Sequence, residues 1–252
     1  MNTISLERRN GILWLTLNRP EVRNAVNFEM IDELNDTLSE IEQSEDKMLV
    51  ITGAGDKAFC SGGDLSSFHA LKTEDEAFSM LSKMGNVLKR LFLFPKPTVA
   101  LLNGVAVGGG CEIATACDIR IAKKNMKFGF VQGRLAITTG WGGGTMLFER
   151  VTPSVALEYL CSAQLITSEK GFEDGFIQTL IDDESDLIKT CETVLEPFVS
   201  KSAGVLAAYK RMWLNRLDTD KIMKNIDEEI RMCAKLWESD EHHEAVQNFL
   251  KK

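Results

Sequence analysis

The sequence predicts an α/β fold, a spiral of repeated ββα units with an all-helical C-terminal region. Strand-like apolar runs crowd the first half of the chain, and each later one leads through glycines toward a helical pattern. Those glycines recur as Gly62-Gly63, Gly108 to Gly110 and Gly142 to Gly144. From Pro153 onward the apolar spacing is mostly helical. Sequence similarity between the units is faint, so the repeat is read from pattern and not from identity.

In order, residues 4–8 and 12–17 alternate apolar and polar around Asn10-Gly11, the favoured two-residue turn, and predict a β-hairpin. A loop punctuated by Pro20 follows. Met30, Ile31, Leu34, Leu38 and Ile41 fall at helical spacing and place a helix over 27–41. Residues 47–52 read as a buried strand ending in the turn Gly53-Ala-Gly55. A helix over 75–92 is broken by Pro95 and Pro97, and a strand over 98–102 enters the glycines of 108–110. Residues 119–122 form a short strand and 127–131 are extended. Helices follow at about 145–150, 155–160, 168–172, 187–198, 203–215, 220–237 and 241–251. The acidic run at 182–186 divides a ββα core, 1–182, from a helical region, 183–252.

With 252 residues and 44% hydrophobic content, the chain can bury a large core. Lys plus Arg is 29 against 37 Asp plus Glu, a net charge of −8, so nucleic acid is not the expected partner. The six cysteines form no CxxC pair and there are three His, which argues against a structural metal and for reduced, buried thiols. No apolar run approaches the ~20 residues of a membrane span. The N-terminus has no secretory or presequence character, so the expected location is the cytoplasm.

The stretch Asn103 to Asp118, NGVAVGGGCEIATACD, is the centre of the chemistry. A strand that delivers glycines to a helix N-terminus presents bare backbone N–H groups, which suit an oxygen gaining negative charge. Taken singly, each glycine cluster is explained by tight turns and close packing. None is a phosphate loop followed by Lys-Ser/Thr, and none has GxGxxG spacing after a first strand. Glu112 complements the dipole of its helix. Its neighbours are apolar, so it is also expected to be desolvated, with a raised pKa suited to proton transfer.

Asn103 to Arg120 resembles the signature of the crotonase superfamily, the enoyl-CoA hydratase/isomerase family. Asn18 to Asn27 is similar to its N-terminal loop, and Ala58-Phe-Cys-Ser-Gly-Gly-Asp-Leu65 to its first oxyanion segment. Phe128-Gly-Phe-Val-Gln and Gly140-Trp-Gly-Gly match its next block more loosely, and the likeness covers about residues 4–249. It implies a crotonase-like spiral, an acyl-CoA thioester as substrate, and a homotrimer or a hexamer made of two trimers. Coenzyme A would enter as part of the substrate, with no permanently bound cofactor. By motif position, Gly63 and Gly109 are the oxyanion-hole donors and Glu112 is the catalytic glutamate. Arg23, Ala25, Ser61, Asp64 and Trp141 are carried over as substrate- or CoA-binding residues. Asp64 also reads as the cap of a following helix.

One position departs from the family. The second catalytic glutamate falls at Gln132, which cannot exchange a proton and can only orient water or substrate. Hydration of a 2-enoyl-CoA is the family-level reading. The block from Phe130 to Gly143, with Trp141, and Trp237 in a C-terminal helix are similar to the ethylmalonyl-CoA decarboxylase branch, which also lacks that glutamate. Decarboxylation of a short malonyl-type CoA needs an oxyanion hole and a single acid, and is the alternative. A non-catalytic CoA-, partner- or RNA-binding member is the third reading; the charge of −8 opposes RNA and Glu112 opposes loss of activity. Phe68, Leu71, Leu135 and Trp141 are candidates for pocket lining, and each reads equally as core. His69 is expected on a helix surface, and His242 and His243 are expected to be solvated in a charged terminal helix.

Overall fold

A computed structural model describes residues 1–182 and 185–251. The acidic run at 182–186, and the boundary expected at 182/183, fall partly on residues 183–184, outside the described residues. β1 (Ile4–Arg9) and β2 (Ile12–Leu17) form the expected antiparallel hairpin. Asn10 and Gly11 both have positive φ, 54° and 77°, the geometry that matches strand twist in a two-residue turn. α1 (Phe28–Ile41) follows, N-capped by Asn27, whose side chain accepts from the Met30 N–H.

Three units then repeat one plan. β3 (Met48–Gly53) is followed by β4 (Ala58–Cys60), a glycine turn, α2 (Leu65–Phe68) and α3 (Glu74–Phe92). β5 (Thr98–Leu102) is followed by β6 (Val105–Val107), a glycine turn and α4 (Gly109–Ala116). β7 (Ile119–Lys123) is followed by β8 (Lys127–Gly129), a 3-10 turn (Val131–Leu135) and α5 (Gly143–Phe148). The rest of the chain is α6 (Pro153–Ser162), β9 (Ile166–Thr167), α7 (Ser168–Glu173), β10 (Thr179–Ile181), α8 (Leu187–Val199), α9 (Ala203–Arg216), α10 (Thr219–Trp237) and α11 (Asp240–Leu250).

The first strand of each unit joins a six-stranded sheet of order β1-β2-β3-β5-β7-β10, and the second joins a four-stranded sheet of order β4-β6-β8-β9. Strands of successive units pair in parallel in both sheets. Each unit therefore advances the chain by one strand in each sheet, which generates the spiral. The three glycine clusters occupy equivalent places, between the short strand of a unit and its helix.

Both faces of the larger sheet are buried along its central parallel strands β2, β3 and β5, as parallel pairing requires, while the antiparallel edge strand β1 is largely exposed. Leu13, Leu15, Leu49, Ile51, Ala100 and Leu102 face the main core. Ile12, Trp14, Met48, Val50, Val99 and Leu101 face Cys191 and Leu195 of α8. α10 lies along α3 and α5 and buries Ile222, Ile226, Ile230, Cys233 and Trp237. All six cysteines are free thiols, and only Cys161 is exposed. Among the described residues no helix is long and apolar enough to cross a membrane.

Three local expectations change. The extended segment expected over 127–131 stops at Gly129 and turns into the 3-10 helix. The region after Pro153 is not purely helical: β10 pairs in parallel with β7, and β9 antiparallel with β8. At two and three residues these strands are too short for alternation to show. His242 is 2% exposed and its Nδ1 lies 2.7 Å from the Leu135 carbonyl oxygen, so it is not solvated. Its ring lies 4.6 Å from that of Trp237, tilted by 44°, and the Leu135 contact ties α11 to the 3-10 turn. Burial lowers its pKa.

Candidate active site

The site begins with two amides that keep an N–H free. Among the described residues neither Gly63 nor Gly109 donates its N–H to a protein acceptor. Gly109 opens α4, where the first N–H groups have no partner within the helix. Gly63 lies in the turn after β4. That turn is strapped to the N-terminal loop: Val26 N–H donates to the Gly62 carbonyl, and Asp64 N–H donates to the Val26 carbonyl, each at 2.8 Å. The two glycine turns touch, since a Cβ added to Gly62 would lie 3.1 Å from the Gly109 nitrogen.

Two buried asparagines fix these loops. Asn24 donates to the carbonyls of Ala54 and Ala58 and accepts from the Arg19 N–H. Asn103 donates to Gly55 and accepts from the Gly53 N–H. Arg19 joins the strap to the site by donating to the Ala25 carbonyl at 2.7 Å and to Asp64 at 2.9 Å. Asp64 also caps α2 through the N–H and hydroxyl of Ser66. Burial alone would raise its pKa. The Ser66 and Arg19 hydrogen bonds, with the Arg19 charge, outweigh burial and hold it below the usual carboxylate range. Ser61 donates its hydroxyl to the Val22 carbonyl, and its N–H to the Arg23 carbonyl. Arg23 is exposed and left-handed, with φ 56°.

Trp141 forms the floor. A Cβ built on Gly109 would fall 2.0 Å from its indole, and one built on Gly63 would fall 3.7 Å away. The indole thus lies against both glycines. Phe68 packs beside it, 3.1 Å from the same point on Gly63. Leu71 and Leu135 hold the C-terminal helices: the Leu71 carbonyl accepts from the Trp237 indole N–H, and the Leu135 carbonyl faces His242. His69 stays at the surface with Nδ1 against the Leu65 carbonyl.

Glu112, one turn into α4, is 2% exposed. One carboxylate oxygen accepts from the N–H groups of Trp141 at 2.8 Å and Gly143 at 2.9 Å. The other accepts from Gln132 Nε2 at 2.9 Å and from the Gly140 N–H at 3.4 Å. The backbone can come this close because residue 143 is glycine: a Cβ there would lie 2.3 Å from Glu112 Cγ. Burial pushes the Glu112 pKa up to about 7, with a second push from the charge of Glu229, against the pull of the three backbone N–H groups. Gln132 leaves its Oε1 buried without a partner among the described residues.

Glu229, from α10, is the site residue that reading the sequence missed. It is 6% exposed and accepts from the N–H groups of Gly144 and Thr145, at 3.1 and 2.7 Å. A signal existed: Glu229 falls on the apolar stripe formed by Ile222, Ile226, Ile230, Cys233 and Trp237. Its neighbours Asp227 and Glu228 make the segment read as a solvated acidic face.

The spiral, the paired glycine turns and the buried Glu112 define an acyl-CoA enzyme of the crotonase type. The chain belongs to the enoyl-CoA hydratase/isomerase family, whose model matches residues 7–252. It is 33% identical to a short-chain-enoyl-CoA hydratase of Clostridium acetobutylicum, over 100% of this chain and 96% of that protein. It is 35% identical to an ethylmalonyl-CoA decarboxylase of Bos taurus, over 83% of this chain and 69% of that protein. The crystal structure of an enoyl-CoA hydratase from Bacillus halodurans superposes with a TM-score of 0.89 at 22% identity, covering 98% of this chain and 99% of that one. That last likeness speaks to the fold alone.

Proposed function

We propose that this enzyme releases CO2 from a short malonyl-type CoA thioester such as methylmalonyl- or ethylmalonyl-CoA. One observation carries the reading. Beside the two oxyanion glycines Glu112 is positioned to move a proton, and its neighbour, where a hydratase needs a second carboxylate, is the amide of Gln132. The Gly63 and Gly109 N–H groups receive the thioester oxygen, each contributing ~3–4 kcal/mol as negative charge develops there. The bond between the α-carbon and the substrate carboxylate breaks, CO2 leaves, and the electron pair moves into the enolate. Glu112 then gives its proton to the α-carbon and is reprotonated from water, so one proton is consumed per turnover. No base is required.

The remaining assignments follow. Trp141 occupies acyl space and suits a short chain. Arg23 supplies the cation for CoA phosphates, on a loop whose shape Ala25, Ser61 and Asp64 maintain. CoA arrives as part of the substrate, and no cofactor is held between turnovers. The helices from α8 onward support a trimer or hexamer, with Val205, Tyr209 and Met212 of α9 exposed for such contacts. The working location is the cytoplasm, without nucleic acid or membrane partners.

Hydration of a 2-enoyl-CoA is a second reading, favoured by the full-length likeness to the Clostridium acetobutylicum enzyme. There Glu112, as a carboxylate, would take a proton from water while Gln132 only orients it. A panel assay separates the two: crotonyl-CoA, methylmalonyl-CoA and ethylmalonyl-CoA are followed for water addition and CO2 release. Fast CO2 release with little water addition is expected, and the reverse pattern selects hydration. Gln132→Glu should slow CO2 release and introduce crotonyl-CoA hydration, because it restores a carboxylate pair. If Gln132→Glu speeds CO2 release, the single-acid reading is wrong.

A further inference from the structure

Glu229 has no part in the steps above, yet it is buried against them. Its carboxylate takes the N–H groups of Gly144 and Thr145 and the Thr145 hydroxyl at 2.7 Å. Glu112 takes those of Trp141 and Gly143. The two carboxylates therefore sit on successive amides of one turn. Among the described residues no cation forms an ion pair with either of them. α3 presents only apolar residues to the core here, among them Leu81, Met84 and Gly85. α4 adds Cys111, whose thiol donates to the Ala106 carbonyl. α5 buries only Gly143, Gly144, Met146 and Leu147. α10 adds Cys233, whose thiol donates to Thr138. Arg134 of the 3-10 turn is exposed and bound to the Ala163 carbonyl.

We infer that Glu229 is a positioning residue for the proton chemistry of Glu112: the two buried carboxylates keep one proton between them, so that Glu112 meets the substrate as an acid. Two like charges in a shared low-dielectric site cannot both form readily. Burial raises the pKa of Glu229 as well, against its four hydrogen-bond donors. Gln132 suits both states of its partner. Its Nε2 donates to the carboxylate, and a flip of the amide would offer the unpartnered Oε1 to the acid proton.

This rests on the decarboxylase reading for its role in turnover but not for its physical content. The test is Glu229→Gln beside Glu229→Asp, which keeps the charge. In the pH profile of kcat/KM for CO2 release, Glu229→Gln should move the limb set by the acid down by about one unit, while Glu229→Asp keeps it near the wild-type position. At pH 8 that shift appears as about a tenfold loss, nearly absent at pH 5.5. A helix cap with no electrostatic role would lower stability and leave the limb in place, and that outcome overturns the inference. Isotope-edited infrared spectra of the protonated Glu112 carboxyl, identified by its loss in Glu112→Gln, give the same titration without turnover. If no malonyl-type CoA is consumed but the carboxyl titration shifts in Glu229→Gln, the reaction assignment fails and the Glu229 inference stands. If CO2 is released but neither profile nor spectrum shifts, the reverse holds.

Discussion

Glu112→Gln is expected to lower kcat by ~10²–10⁴-fold, the range for loss of a positioned general acid or base. The variant should still fold. A Gln carbonyl can accept from Trp141 and Gly143 as the carboxylate does. Its amide would face the Nε2 of Gln132, which can flip to present its unpartnered Oε1. The stability of the two proteins should then diverge with pH in a fixed direction. Glu112 is raised from 4.5 to about 7 in the fold. Its contribution is fully present below the unfolded pKa and is lost as pH rises through the folded one. Wild type should therefore lose stability relative to Glu112→Gln between pH 4.5 and pH 8. Denaturant melts at the two pH values measure this. A constant gap would mean that Glu112 is not a desolvated acid. Retention of turnover on every acyl-CoA in the panel would remove it from the chemistry.

The parts of this site that are local in sequence were legible in the sequence. Asn10-Gly11 specifies its hairpin through two positive φ values, a preference carried by two residues. Each glycine cluster sits between a strand and a helix, so Gly63, Gly109 and Glu112 lie in short windows, which the resemblance to the family singled out. What joins those windows is not local. Trp141 reads as one aromatic in a glycine run, and only the spiral lays it against Gly109 and Gly63. Asn24 and Asn103 look like loop polar residues, and their work as clamps depends on carbonyls contributed by another unit. Glu229 and His242 were obscured by composition. Each lies in a run of charged residues, and each is carried inward by the one apolar stripe of its helix. The same stripe brings α10 against α3 and sets its carboxylate at the N-terminus of α5.

Gly109→Ala is expected to cost as much in catalysis as removal of an oxyanion donor, ~10²–10³-fold in kcat. The added methyl would stand 2.0 Å from the Trp141 indole. The ring cannot yield easily, because it is 4% exposed and wedged among the core residues. The strain must be taken by the first turn of α4, which carries both the Gly109 N–H and Glu112. A shift of that turn misaligns donor and acid together, and overpacking adds ~1–3 kcal/mol of destabilisation. If Trp141 is the obstacle, trimming it should restore room. Trp141→Leu alone leaves a cavity and a looser floor, yet combined with Gly109→Ala it should recover stability relative to the sum of the single changes. A double-mutant cycle should give a favourable coupling of ~0.5–3 kcal/mol between the two positions. Additive single changes would mean that the indole does not press on the oxyanion turn. A Gly109→Ala enzyme with wild-type kcat would show that the added methyl leaves the N–H at position 109 aligned, and that the indole yields.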